Sequence, residues 1–141
     1  MLKALGRFVL LVRDYDEALA FYRDVLGFTT LYDQTASTGQ RFLHVGVPGQ
    51  GGTPSVGLWM LEATGADADL VGRQAGSHPL AIVYTADCRA TAAELERRGV
   101  TFRKAPLEDS GAVYAHFADL YGNELVLVQL TDPGRHATDK R

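Results

Sequence analysis

Residues 12–28 read VRDYDEALAFYRDVLGF and residues 85–100 read TADCRATAAELERRGV. In the first stretch Asp14 stands three residues before Glu17, a capping box whose side chains satisfy the free amides that open a helix. Ala18, Phe21, Tyr22, Val25 and Leu26 then recur at helical spacing as one apolar face, and Gly27 stops the helix. In the second stretch Asp87 is the cap, Cys88, Ala92 and Leu95 carry the apolar face, and Gly99 is the stop. The two stops are 72 residues apart (99 − 27), so one pattern occurs twice.

Outward from these helices the pattern is β-rich. Apolar runs at 8–12 and 80–85 precede the caps, and short runs at 28–32, 40–47 and 56–61, then 100–104, 112–118 and 125–130, follow the stops. Each copy therefore predicts βαβββ. One helix covers one sheet face, so two copies pair as a single α+β domain whose uncovered faces cup a cavity. The first module is 1–63 and the second 78–131, with a linker at 64–77 and a flexible tail at 132–141 that has little to bury. Turn-rich segments at 48–54 and 121–123 join strands. Alternation sends Phe8, Leu10 and Val12 toward the helix and Arg7, Val9, Leu11 and Arg13 toward the cavity.

At 141 residues and 46% hydrophobic composition, the chain can bury one good core. Fourteen Lys and Arg are interspersed with 17 Asp and Glu for a net charge of -3, so no basic stripe exists to bind nucleic acid. No apolar run approaches the length of about 18 residues that a membrane span needs. Nothing at the start reads as a secretion signal, and the single Cys88 suits a reducing compartment, which together imply a cytoplasmic protein. Cys88 is either a small buried side chain or, next to a helix cap, an activated thiol.

The two helical stretches and FADLYGNELVLVQ at 117–129 resemble the vicinal oxygen chelate superfamily over roughly residues 5–130. This family includes glyoxalases, bleomycin-type resistance proteins, fosfomycin-modifying enzymes and extradiol dioxygenases. The resemblance implies paired βαβββ modules, a small-molecule ligand or substrate, and often a homodimer. In metal-dependent members a ligand His stands seven residues before the capping Asp, which is Arg7 here. A last-strand Glu becomes Val126, and the carboxylate of the first module's fourth strand falls in GLWML at 57–61, which holds no ligand type. The remaining His position falls on Leu80 or His78, depending on the register. A catalytic divalent ion generally takes three protein ligands, so the resemblance implies a branch with no metal and no cofactor.

By the family's geometry His116, three residues before the turn Asp119, faces the cavity, and Tyr114 shares its face by alternation. These are the candidate acid–base pair; the structural alternative for His116 is a partner on a neighbouring strand. His44 has no motif to anchor its strand's parity. Trp59 is either core filler or a stacking wall for a flat ligand, and Tyr84 is either a buried phenol in need of a partner or a ligand contact. Arg7 and Arg13 suit anion recognition, unless Glu124 pairs with one of them and cancels the charge. His78 and His136 read as exposed loop residues. Two functions follow: a binding protein that sequesters a hydrophobic or aromatic molecule, or an enzyme that uses His116, Tyr114 and Arg7 without metal. A third reading recruits His44, His78 and His116, with Glu124, as a non-standard metal set.

Overall fold

In a computed structural model of the chain, residues 1–51 and 55–132 are described; part of the 48–54 segment, the tail beyond 132 and His136 lie outside them. The chain forms two compact units, Met1–Gln74 and Ala75–Arg141. In the first, β1 (Arg7–Val12), helix α1 (Tyr15–Ala20), β2 (Thr29–Thr35), β3 (Arg41–Gly46) and β4 (Gly57–Glu62) follow one another. In the second the order is β5 (Ala81–Tyr84), α2 (Cys88–Arg97), β6 (Phe102–Asp109), β7 (Ala112–Ala118) and β8 (Glu124–Leu130). Both units are thus βαβββ, the α+β class expected from the repeat.

Each sheet has four strands in matching order, β1-β4-β3-β2 and β5-β8-β7-β6. The first and last strands of each unit pair in parallel, and the other pairs are antiparallel. The helices start where the caps predict: Asp14 accepts from the Glu17 amide at 2.8 Å and Asp87 from the Ala90 amide at 3.0 Å. After α1 the chain continues as one wider helical turn, Phe21–Val25, closed by the Leu26 amide on the Phe21 carbonyl. Gly27 and Gly99 then take φ of 82° and 91°, the left-handed conformation that a stop residue needs.

The core of the first unit is the helix-side face: Leu10, Val12, Leu43, Val45 and Met60 are fully buried with Ala18 and Tyr22. Burying one large apolar side chain of this kind stabilises by about 1.5–3 kcal/mol. Phe8 departs from the expectation. It has the parity of Leu10 but stays 51% exposed, because it sits near the outer end of an edge strand. In the second unit Leu125, Leu127, Ala115 and Phe117 are buried with Cys88, Ala92 and Leu95 of α2. The Cys88 thiol lies 3.8 Å from the Leu127 carbonyl, and burial pushes its pKa up, so Cys88 is a core side chain rather than an activated nucleophile. Pro106 is accommodated in β6 because that strand is an edge and breaks register between Lys104 and Leu107.

The segment joining the units does more than span a gap. It makes a 3-10 turn at Gly65–Leu70, buries Val71, and brings Gln74 against the open edge of β1. There the Gln74 amide accepts from the Leu11 N–H and donates to the Val9 carbonyl, both at 2.8 Å. One side chain therefore mimics a neighbouring strand on an edge that would otherwise present unpaired groups.

Candidate functional site

The face of the first sheet opposite α1 carries an aromatic row. Val9 pairs with Trp59, Trp59 with His44, and His44 with Tyr32, so these four side chains cross β1, β4, β3 and β2 in one line. The His44 ring lies 5.9 Å from Trp59 and 5.5 Å from Tyr32, and Phe42 stacks on Trp59 at 6.4 Å. These distances are within the range where aromatic rings attract one another. The neighbouring row is nearly bare, because Arg7 pairs with Gly57, and Gly46 lies beside Val45 on β3. A register break between Thr30 and Tyr32 frees Leu31 to fill this space. A Cβ built on Gly57 or Gly46 would meet Leu31 Cδ1 at 2.6 Å or 2.8 Å.

Arg7 forms the polar corner of this face. Its Nε donates to His44 Nδ1 at 3.0 Å, and its Nη1 donates to the carbonyls of Gly6 and Ser55. A guanidinium can only donate, so His44 Nδ1 must accept, and the neutral ring carries its proton on Nε2. Burial, with the Arg7 charge second, holds the His44 pKa below its ordinary value and favours that neutral ring. His44 Nε2 has no partner among the described residues, yet it is not sealed from solvent. Among those residues only Trp59 Nε1 is a buried side-chain polar atom without a hydrogen bond. An unpaired buried donor of this kind typically costs about 1–3 kcal/mol.

In the second unit, Ile82, Val126, His116 and Lys104 form one row, and Tyr84, Val128, Tyr114 and Leu107 the next. His116 Nδ1 lies 3.2 Å from Glu124 Oε1, both groups being about one-fifth exposed. A carboxylate on that side favours a ring proton on Nδ1. Tyr114 lies 5.9 Å from the His116 ring, and the Lys104 ammonium sits 5.0 Å from the Tyr114 ring centre. The two histidines thus have different neighbours at Nδ1: a guanidinium donor for His44 and a carboxylate for His116.

The residues named from sequence divide accordingly. His44, Trp59 and Arg7 meet on one face, and His116, Tyr114 and Glu124 on another. Glu124 faces His116, because β8 carries it beside β7 of its own unit. Arg13 is exposed past the end of β1, and His78 is exposed in the joining segment. Tyr84 is 57% exposed on the edge strand β5 rather than walled in by aliphatic neighbours. Sequence reasoning missed Tyr32, Leu31, Phe42 and Lys104. The repeat itself held the missing signal: His116 and His44, like Lys104 and Tyr32, are 72 residues apart (116 − 44 and 104 − 32), the offset of the stop glycines.

A divalent metal does not fit these side chains. Among the described residues no three His, Cys, Asp or Glu converge, and the Nδ1 of His44 is held by a cationic guanidinium. No helix among them is long and apolar enough to cross a membrane.

Comparison with known proteins agrees with the fold. An uncharacterized protein of Shewanella frigidimarina is 33% identical over 134 residues, which cover 94% of this chain and 97% of that protein. The crystal structure of UcmS2 superposes with a TM-score of 0.77 at 28% identity, covering 91% of this chain and 98% of that one. TnmS3, an antibiotic binding protein from Streptomyces sp. CB03234, superposes at 0.74 and 27% identity, covering 92% and 97%. Residues 4–127 match the family model of the Glyoxalase/Bleomycin resistance protein/Dioxygenase superfamily, and the chain belongs to that superfamily.

Proposed function

We propose that this chain binds and sequesters a small planar aromatic molecule on the helix-free face of its first unit, without a metal. The observation that carries this reading is the continuous row Val9, Trp59, His44 and Tyr32, flanked by Phe42, with Arg7 as its polar corner. Apolar and aromatic side chains with a few placed polar groups are the usual lining of a small-molecule site. The indole N–H of Trp59, buried and unpaired among the described residues, adds a further donor within this row. The likeness to an antibiotic binding protein at 27% identity supports the same class of function.

The chain has one tryptophan, so its emission reports on this face directly. Titration with naphthalene is expected to quench it saturably, and the naphthalene should be recovered unchanged after prolonged incubation. Trp59→Leu should weaken binding measured by calorimetry by about tenfold, the worth of one good aromatic contact. Absence of saturable binding refutes the reading, and chemical conversion of a bound aromatic refutes sequestration.

A second reading is favoured by the Glu124–His116 pair. A carboxylate that orients His116 leaves Nε2 free to take a proton, with Tyr114 beside it as a hydrogen-bond donor. For an enzyme of this kind, Glu124→Gln should lower kcat with little change in KM. We also place the protein in the cytoplasm, on its lone buried cysteine, and as a homodimer, on the exposed Phe8, Ile82 and Tyr84 of its edge strands. Light scattering that gives the mass of one 15.3 kDa chain refutes the dimer.

A further inference from the structure

We propose that His44 is the specificity-determining residue of the aromatic face: a fixed hydrogen-bond donor that selects planar ligands carrying an acceptor oxygen, such as a ring carbonyl or phenolate, over plain aromatic hydrocarbons. This inference rests on the reading of the first unit's face as a ligand site.

Proton placement on the ring sets this preference. An ordinary neutral histidine exchanges its proton between two ring nitrogens and offers a ligand either a donor or an acceptor. Here the Arg7 Nε–H points at His44 Nδ1 at 3.0 Å, and a guanidinium has no lone pair to reverse the bond. Arg7 is itself pinned, since its Nη1 is bound to the carbonyls of Gly6 and Ser55. The proton therefore resides on Nε2, the nitrogen that lacks a partner among the described residues and is open to solvent.

The surroundings extend the preference. A ligand oxygen at Nε2 would lie between the rings of Trp59 and Tyr32, which flank His44, with the positive charge of Arg7 behind the imidazole. That charge opposes protonation of the ring and polarises Nε2–H, so a partly negative oxygen is favoured over a neutral or positive group. Among the described residues no acidic side chain is paired with His44, whereas the matching histidine of the second unit, His116, faces Glu124. A flat ligand that covers this face removes Nε2–H from water, so a ligand without an acceptor leaves it unpaired and is discriminated against.

The test uses two fused-ring probes of the same size, coumarin, which carries a ring carbonyl, and naphthalene, which carries none. Affinities of the full-length wild-type chain, His44→Phe and His44→Gln are measured by calorimetry, with Trp59 emission as a second readout. His44→Phe keeps a ring in the row but removes the donor, and the ratio of coumarin to naphthalene affinity should fall about fivefold, one hydrogen bond's worth. His44→Gln can accept from Arg7 and still donate, and should restore most of the ratio. Naphthalene binding that persists in all three proteins shows the face to be intact. An unchanged ratio in His44→Phe, or a ratio lost equally in His44→Gln, overturns the donor role while leaving the binding reading standing. Failure of both probes to bind the wild type overturns the binding reading itself.

Discussion

Replacing Asp119 by alanine should be the most damaging single change in the turn that leads into β8. Asp119 is only 6% exposed and Asn123 3%, so their polar groups have little recourse to water. The Asp119 side chain accepts from the amides of Tyr121 and Asn123 and from the Asn123 side-chain Nδ2, each at 2.9 Å. Around it the Asp119 amide donates to the Asn123 carbonyl at 2.8 Å, and Gly122 closes the turn with a φ of 99°. A hydrogen bond to a charged group contributes about 1.5–3 kcal/mol. The three share one acceptor and Tyr121 can reach solvent, so they do not sum, and a loss of about 2–4 kcal/mol is expected. Against the 7–20 kcal/mol or so typical of a chain this long, that is a substantial fraction. Urea denaturation followed by Trp59 emission and by circular dichroism should show a lower midpoint with an unchanged slope. Asp119→Asn keeps an acceptor for both amides and should lose about half as much. Since Glu124 directly follows the turn, the alanine variant should also loosen the Glu124–His116 pair, seen as a shifted His116 imidazole resonance. An unfolding free energy within about 0.5 kcal/mol of wild type would mean that the turn is held by its backbone alone.

Two further outcomes test the first unit. In an NMR titration His44 should protonate below the ordinary histidine value of about 6.5, and Arg7→Met should move it upward only part of the way, because burial is the larger cause. The unfolded chain binds that proton more readily, so His44 costs stability fully below its folded pKa, and the penalty disappears as pH rises through about 6.5; a His44 that titrates at or above 6.5 contradicts the Arg7 contact. Gln74→Ala should lower stability by about 1 kcal/mol and speed hydrogen exchange at the Leu11 amide, whose partner it removes; unaltered exchange there would dismiss Gln74 as a stand-in for a neighbouring strand.

The local steps of this fold were written in the sequence. Asp14 and Asp87 as caps, Gly27 and Gly99 as stops, and alternating apolar runs specify βαβββ twice, because capping, helical periodicity and strand alternation depend on residues a few positions apart. The same local rule failed at Phe8, whose parity is that of a core residue but whose place near the end of an edge strand leaves it exposed. Glu124 lies beside His116 because β8 pairs with β7, which strand order decides and side-chain parity does not.

The site was legible only in part. His116, Tyr114, Trp59, His44 and Arg7 were recognisable as chemistry-bearing residues, and the 72-residue offset between His44 and His116 was available to fix the parity of β3. What no sequence pattern supplied was register. The Tyr32–His44–Trp59–Val9 row exists because four strands align at those residues, and the slip at Leu31 fills the space above Gly46 and Gly57. Nor could spacing reveal the contact of Arg7 with His44, 37 residues apart. By itself the sequence determined the repeated unit and its helix boundaries, which are short-range matters. Tertiary structure decided the pairing of charges and the proton position on His44, since these depend on which groups the sheets bring within hydrogen-bonding distance.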